Sequence, residues 1–357
     1  MQTPTLVTAT RRLTLGALIA APLLVATSQA QAETLLRVAG NFSGNKLHVD
    51  NVERPFFAEL DARDDLAVSY NPMDAIGVEA ADALRNIRSG AFDVMSVQIG
   101  MASRDEPFFE GIDLAGVTAD LDQQREAVDA FRADFDARLQ ERFNAKLMTL
   151  WPFGPQMMFC NGDINGADDL AGKKVRVFTP SMSRLVEGLG AVPVTLQFSE
   201  VYLALQRGVA DCGVTAPSAG SNGKWPEVTD HFVPLPLSYS VQGHFMNLDT
   251  WNGFDAEQQA SLSEAFARLE DQMWDLAYTV NDDAIACNTG QPSCENHTAY
   301  DMTLVDIDED SRARIEQITS EAVLPVWAET CDARYPECTA LWNASVGEVT
   351  GLSASAP

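Results

Sequence analysis

The chain has 357 residues, 46% of them hydrophobic, and carries a formal net charge of −27 at pH 7. That is enough apolar content to bury one full core or two smaller ones, and a surface so acidic excludes nucleic acid as the expected partner. It also repels anionic ligands from afar, so any anion site has to be built from locally placed donors.

Arg11 and Arg12 precede a largely apolar run, Leu13 to Ala26, which leads to the small-x-small pattern Ala30-Gln31-Ala32. This reads as a signal peptide, residues 1–32, cleaved after Ala32, with the mature protein exported to the periplasm. The run is interrupted by Pro22 and is too short for a comfortable membrane span. The paired arginines raise a twin-arginine route, but Thr10-Arg-Arg-Leu-Thr-Leu lacks the phenylalanine that route prefers. Cleavage removes two arginines and no acid, leaving 22 basic against 51 acidic residues, or −29.

From there the pattern alternates. Leu35–Ala39 reads as a strand, Gly40–Asn45 as a loop, His48–Leu60 as a helix, Leu66–Tyr70 as a strand, Val78–Ser89 as a helix and Asp93–Gln98 as a strand. Such alternation implies a parallel α/β sheet. A charged helix over Ala119–Phe143 leads into a strand at Lys146–Trp151. A second α/β set follows, with strands at Met157–Cys160, Lys174–Phe178 and Asp211–Thr215 and helices at Ser181–Leu189 and Ser199–Arg207. Gly90 and Gly208 each follow a helix and precede a strand that opens with Asp, which suits a left-handed C′ position. Apolar positions Leu262, Phe266, Leu269, Met273, Leu276 and Val280 step by three or four along Ala256–Ala286, predicting one long amphipathic helix that spans two lobes. Tyr300–Asp306 reads as a strand, Ser311–Trp327 as a helix and Gly351–Pro357 as a frayed tail. The lobes are expected at 33–152 plus about 240–280, and 153–239 plus about 281–350.

The six cysteines allow 15 connectivities, and an even count in an exported chain suggests disulfides. Cys287–Cys294 and Cys331–Cys338 each enclose turn formers and close small local loops; Cys160 then pairs with Cys212. A metal cluster would want C-x-x-C or suitably spaced histidines, so neither metal nor cofactor is expected. The four histidines are scattered, and there is no H-E-x-x-H, G-x-S-x-G, P-loop or G-x-G-x-x-G after a strand.

In Lys174–Phe178, side-chain alternation puts Val175 and Val177 on one face and Lys174, Arg176 and Phe178 on the other. Thr179 is placed to cap the next helix, with Pro180 in its first turn. Arg176 thus sits just before the carboxyl end of a strand and beside a helix N-terminus, where open α/β sheets hold ligands and anions are favoured. Its planar fork suits a carboxylate.

"DLAGKKVRV" followed by "LGAVPVTLQFSEVYLALQRGVADC" resembles the core signature of TRAP transporter substrate-binding proteins, the dicarboxylate-binding periplasmic components. The elements that carry the likeness are Lys174-Val-Arg176, Gly190 to Val194, Glu200, Tyr202, Ala204-Leu205, Gly208 and Asp211, and it runs from about Leu35 to the long helix and beyond. The resemblance implies a two-lobed α/β protein of the periplasmic binding protein type, with two mixed or parallel sheets flanked by helices. Such a receptor closes on a small organic anion in the interlobe cleft and hands it to a membrane permease, acting as a monomer and doing no covalent chemistry. By position, Arg176 is the carboxylate clamp. Where many relatives have Glu-Asn-Pro after the Asp-Gly turn, this chain reads Asp211-Cys-Gly-Val-Thr-Ala-Pro217. Thr215 and Ser218 stand in for the missing asparagine, so the ligand is expected to differ from C4-dicarboxylates and sialic acid; a sulfonate would also fit.

Further pocket candidates lie at strand ends: Asn41, Phe42, Asp74 and Gln98, with Trp151, Phe153, Phe198 and Trp225 as aromatic walls. The alternative is a periplasmic enzyme using cleft carboxylates such as Asp74 and Glu200, although Glu200 at a helix start serves the dipole. A third reading keeps the fold and makes the protein the binding component of another uptake system or sensor.

Overall fold

In the computed structural model, residues 1–6 and 33–357 are described; the expected signal peptide and its cleavage site lie almost wholly outside them. Two sheets organise the chain. The first has the order β2-β1-β3-β10-β4, built from β1 (Thr34–Gly40), β2 (Leu66–Pro72), β3 (Val94–Gln98), β4 (Ala145–Pro152) and β10 (Val241–Asn247). β1 runs parallel to β2 and β3, whereas β10 is antiparallel to β3 and β4. The second has the order β11-β9-β5-β8-β6-β7, from β5 (Met157–Cys160), β6 (Lys174–Val177), β7 (Val192–Thr195), β8 (Cys212–Thr215), β9 (His231–Val233) and β11 (Thr303–Leu304). β6 is parallel to β7 and β8, and β5 is antiparallel to β8 and β9. Both sheets are mixed, one of the two arrangements expected, mixed or parallel, where alternation alone predicted parallel strands.

The helices form where their sequences provide caps and apolar faces. Asp255 and Gln258 close a capping box at the start of the Ala256–Asn288 helix. Its Leu262, Phe266, Leu269 and Met273 pack in the core of the first sheet, and its far end reaches the second, with Asn288 Nδ2 donating to Pro217 O (3.2 Å). Gly90 (φ 69°) and Gly208 (φ 68°) adopt the left-handed conformation their positions predict. All three expected disulfides are present, and Cys160 faces Cys212 across the β5–β8 pair.

Two expectations about the C-terminal part are corrected. Leu324, Trp327, Cys331, Cys338, Trp342 and Val346 join the core of the first sheet, so the segment assigned to the second lobe through residue 350 returns to the first. Trp327 Nε1 donates to Pro107 O (2.9 Å) and Trp342 Nε1 to Gly111 O (2.7 Å), which anchors the return. Nor is the tail frayed: Ala354 is buried, and its N–H and carbonyl pair with the Asn343 side chain at 2.8 and 2.9 Å.

The chain also passes between the sheets along two extended segments that pair with each other. Phe153 N–H donates to Ser240 O (3.0 Å), Gly154 N–H to Tyr239 O (3.1 Å), and Gln156 N–H to Ser238 O (2.7 Å). Gly154 has φ 126°, and a Cβ there would strike the Asn281 amide of the long helix, so only glycine suits the position. The buried Asp113 carboxylate accepts the N–H groups of Tyr239 (3.0 Å), Ser240 (3.1 Å) and Val241 (3.0 Å), pinning the second crossing.

Burial pushes the Asp113 carboxyl up to about 7 against those three hydrogen bonds, with the charge of Glu110 adding to the rise. An acid whose folded pKa exceeds its unfolded value makes the native state bind the proton more tightly, so its contribution to stability falls as pH rises from about 4 to about 7. Between pH 5 and pH 8 wild-type protein should therefore lose about 2–3 kcal/mol more unfolding free energy than Asp113→Asn. Denaturant unfolding of both proteins at the two pH values checks this; equal changes would show that Asp113 is ionised throughout.

Candidate ligand-binding cleft

A cavity of about 400 Å³ opens between the sheets, within the range of small-molecule sites. It lies at the carboxyl ends of the parallel strands, where ligands of open α/β sheets bind. The first sheet contributes Asn41–Asn45 after β1, Asp74 and Gly77–Glu79 after β2, and Gln98 and Met101 at the end of β3; the second contributes Arg176, Phe178, Gln197–Ser199, Thr215 and Ala219. Phe153, Gln156, Ser240 and Gln242 form its back, on or beside the crossings.

Arg176 is the most unusual of these residues. It is 1% exposed, yet makes no ion pair among the described residues. Nε donates to Leu196 O (3.0 Å) and Nη1 to Val214 O (2.8 Å), which fixes the plane of the guanidinium. Its Cζ lies 5.1 Å from the Phe178 ring centre and 5.8 Å from that of Trp225, so two ring faces, not a carboxylate, flank the cation. Burial pushes its pKa down to about 9, partly offset by Glu200. It is still charged at neutral pH. Thr179 caps the following helix as expected, Oγ1 accepting from Met182 N–H at 3.1 Å.

The other predicted positions divide. Asn41, Phe42, Asp74, Gln98, Phe153, Phe198 and Thr215 line the cavity with Arg176. Asn41 Oδ1 accepts from Phe42 N–H (2.8 Å) and Asn45 Nδ2 (2.9 Å), whereas its buried Nδ2 has no partner among the described residues. Asp74 is spent locally, taking Ser43 N–H at 2.8 Å and the Ser43 hydroxyl, and so shapes the loop after β1. Glu200 pairs with Gln197 N–H (3.0 Å) in a capping box, the dipole role its position predicts.

Trp151, Ser218 and Trp225 lie outside the lining. Trp151 sits one layer back, 5.4 Å from the His48 ring, which itself stacks on Phe153 at 4.3 Å. Burial lowers His48 to about 4, so it backs Phe153 as a neutral ring. Trp225 stacks beneath Phe198 at 5.3 Å and supports both Phe198 and Arg176. Ser218 is buried beside the long helix, its N–H directed at Asn281 Oδ1 (3.4 Å). Gln156, Gln242, Ser240, Glu79 and Phe178 are among the further lining residues that were not singled out from sequence. Only Phe178 carried a signal, through its shared face with Arg176.

Two mixed sheets joined by crossings, with a buried cation at the cleft between them, define a solute-binding protein of the periplasmic type. Residues 64–322 match the family of bacterial extracellular solute-binding proteins, family 7, and the chain belongs to that family. It is 28% identical to the C4-dicarboxylate-binding periplasmic protein of Rhodobacter capsulatus over 190 residues, 51% of this chain and 57% of that one. It is also 28% identical to a solute-binding protein of Sulfitobacter sp. over 263 residues, 72% of this chain and 78% of that one. An extracytoplasmic solute receptor of Bordetella pertussis, crystallised as a pyroglutamic acid binder, superposes with a TM-score of 0.75 at 18% identity, covering 87% of this chain and 99% of its own.

Proposed function

We propose that this protein is the extracytoplasmic receptor of a TRAP-type transporter, monomeric in the periplasm, and that it binds a small organic anion in the cleft and delivers it to membrane permease subunits. The observation that carries the reading is Arg176, a buried guanidinium with two backbone partners and no carboxylate among the described residues. A cation held dry without a counter-ion costs free energy that an incoming carboxylate or sulfonate recovers. The lobes on this reading are 33–152 with about 240–280 and 324–354, and 153–239 with about 281–323. They close by bending at Gly154, at Ser240 (φ 55°) and within the long helix. An enzymatic role for the cleft carboxylates loses its candidates, because Asp74 and Glu200 are both occupied by local N–H groups.

The test is thermal unfolding of refolded mature protein against millimolar carboxylates and sulfonates. A ligand at about 1,000 times its dissociation constant adds about 4 kcal/mol, a rise of several degrees. No stabilisation by any acid would sink the receptor reading.

A further inference from the structure

We propose that the cleft accepts one negative charge only, and that its ligand is a monoanionic acid bearing hydroxyl or amide N–H donors, with dianionic acids rejected. The inference rests on the receptor reading and narrows it.

The charge argument comes from the lining. Arg176 is its single cationic side chain, whereas Asp74 and Glu79 place two carboxylates at the mouth. Both belong to exposed residues on the segment after β2. One acidic group of a ligand can pair with the Arg176 fork. A second would find no cation, would give up its water on entering, and would stand in the field of two carboxylates.

The donor argument comes from the amides. Gln156 donates Nε2 to Gly154 O at 2.9 Å, which fixes the orientation of its amide, and Oε1 has no hydrogen-bond partner among the described residues. Gln98 spends Nε2 on Ser240 Oγ (2.9 Å), again leaving its carbonyl oxygen free. Across the cleft, the Asn41 Nδ2 donor is buried and unpaired. The lining therefore offers two unspent carbonyl acceptors, with the Asn41 donor buried behind its surface. A carboxylate has no proton to give at neutral pH, so it can pair with Arg176 but not with the two glutamine oxygens. A hydroxyl, which both donates and accepts, meets this mixture; an alkyl chain would leave it unmet.

Isothermal titration of wild-type protein tests both halves with acids matched in skeleton: gluconate against glucarate, galacturonate against galactarate, and glycerate against tartronate, with hexanoate as the unhydroxylated monoanion. The expected result is that at least one hydroxylated monoanion binds 100-fold or more tightly than its dianionic counterpart and than hexanoate. A dianion binding as tightly as its partner overturns the one-charge rule and leaves the receptor standing. Hexanoate binding best overturns the donor requirement. Absence of binding by every acid of either class overturns the proposal together with the receptor reading beneath it.

Discussion

Arg176→Ala loses ligand affinity by about 30-fold to several thousand-fold, the 2–5 kcal/mol that follows truncation of a buried, hydrogen-bonded charge partner. The size follows from the geometry. Leu196 O and Val214 O hold the guanidinium before the ligand arrives, so little orientational freedom remains to be lost on binding. Arg176→Lys should rescue poorly, since one ammonium cannot satisfy two carbonyls and also present a planar fork. Ligand-free stability should respond far less than affinity. A pKa lowered from 12.5 to about 9 implies that folding pays about 5 kcal/mol, at most, to bury this charge. Removing the charge refunds much of that but strands two carbonyls at about 1–3 kcal/mol each. The terms nearly cancel, leaving a net change within about 2 kcal/mol. Because the folded pKa lies near 9, the group is charged in both states at pH 5–8, and the cancellation should hold across that range. Titration calorimetry with the best ligand, alongside melting curves of the ligand-free proteins, reads both quantities. Affinity within threefold of wild type in the alanine variant would remove Arg176 from the binding site.

What the sequence made legible follows physical lines. β1, β3 and β6 were readable as short apolar runs rich in valine or leucine, and the long helix because its apolar positions recur every three or four residues. Arg176 was readable because a charged side chain between valines breaks that pattern at a strand end. β10 was missed although it is an inner strand of the first sheet, between β3 and β4, with every residue buried. Its polar residues are satisfied by distant partners: His244 Nε2 meets Glu53 Oε1 at 2.8 Å across 191 positions, and Asn247 Nδ2 donates to Ile87 O at 2.8 Å. No local pattern announces such pairs. The second-lobe assignment of the C-terminal helices failed for a related reason. An amphipathic face shows that a helix packs, not which of two cores receives it. Within the cleft, strand alternation and the strand-end rule led to Arg176 and the loops, and the family likeness added the clamp role of Arg176, while the amides of Gln156 and Gln242 carry no motif. Trp151 and Trp225, expected as aromatic walls, each stand behind the residue that lines the cavity, Trp151 behind His48 and Phe153 and Trp225 behind Phe198.

The second large effect is expected at Glu53, which no feature of the sequence singled out. Its carboxylate is fully buried where the first helix opens into a π turn over Val49–Glu53. Oε2 accepts the N–H of Asn41 (2.9 Å) and the Tyr70 hydroxyl (2.6 Å), and Oε1 faces His244 Nε2 (2.8 Å). Thr149 Oγ1 accepts His244 N–H (2.9 Å) and lies 2.7 Å from His244 Nδ1, so its hydroxyl proton can go to Nδ1 while Nε2–H points at Glu53. Burial works to raise the Glu53 carboxyl, but the hydrogen bond from His244, with the Tyr70 and Asn41 bonds, outweighs it and holds the pKa below its usual value. The group's stabilisation is therefore present above the unfolded pKa and is lost as pH falls through the folded one. Glu53→Ala leaves three buried donors without an acceptor and should cost about 3–5 kcal/mol, a fall of about 5 °C or more in Tm for a chain of this size. It also frees the backbone of Asn41, so ligand affinity should drop with Arg176 untouched. Glu53→Gln is expected to be milder: its carbonyl can keep the Asn41 and Tyr70 bonds, and His244 can change tautomer to accept from the new amide. That order, alanine well below glutamine and glutamine below wild type in both Tm and affinity, separates a hydrogen-bonded anchor from mere cavity filling, which would leave glutamine equal to wild type. An alanine variant melting within 1 °C of wild type would show that the buried network holds neither the fold nor the cleft.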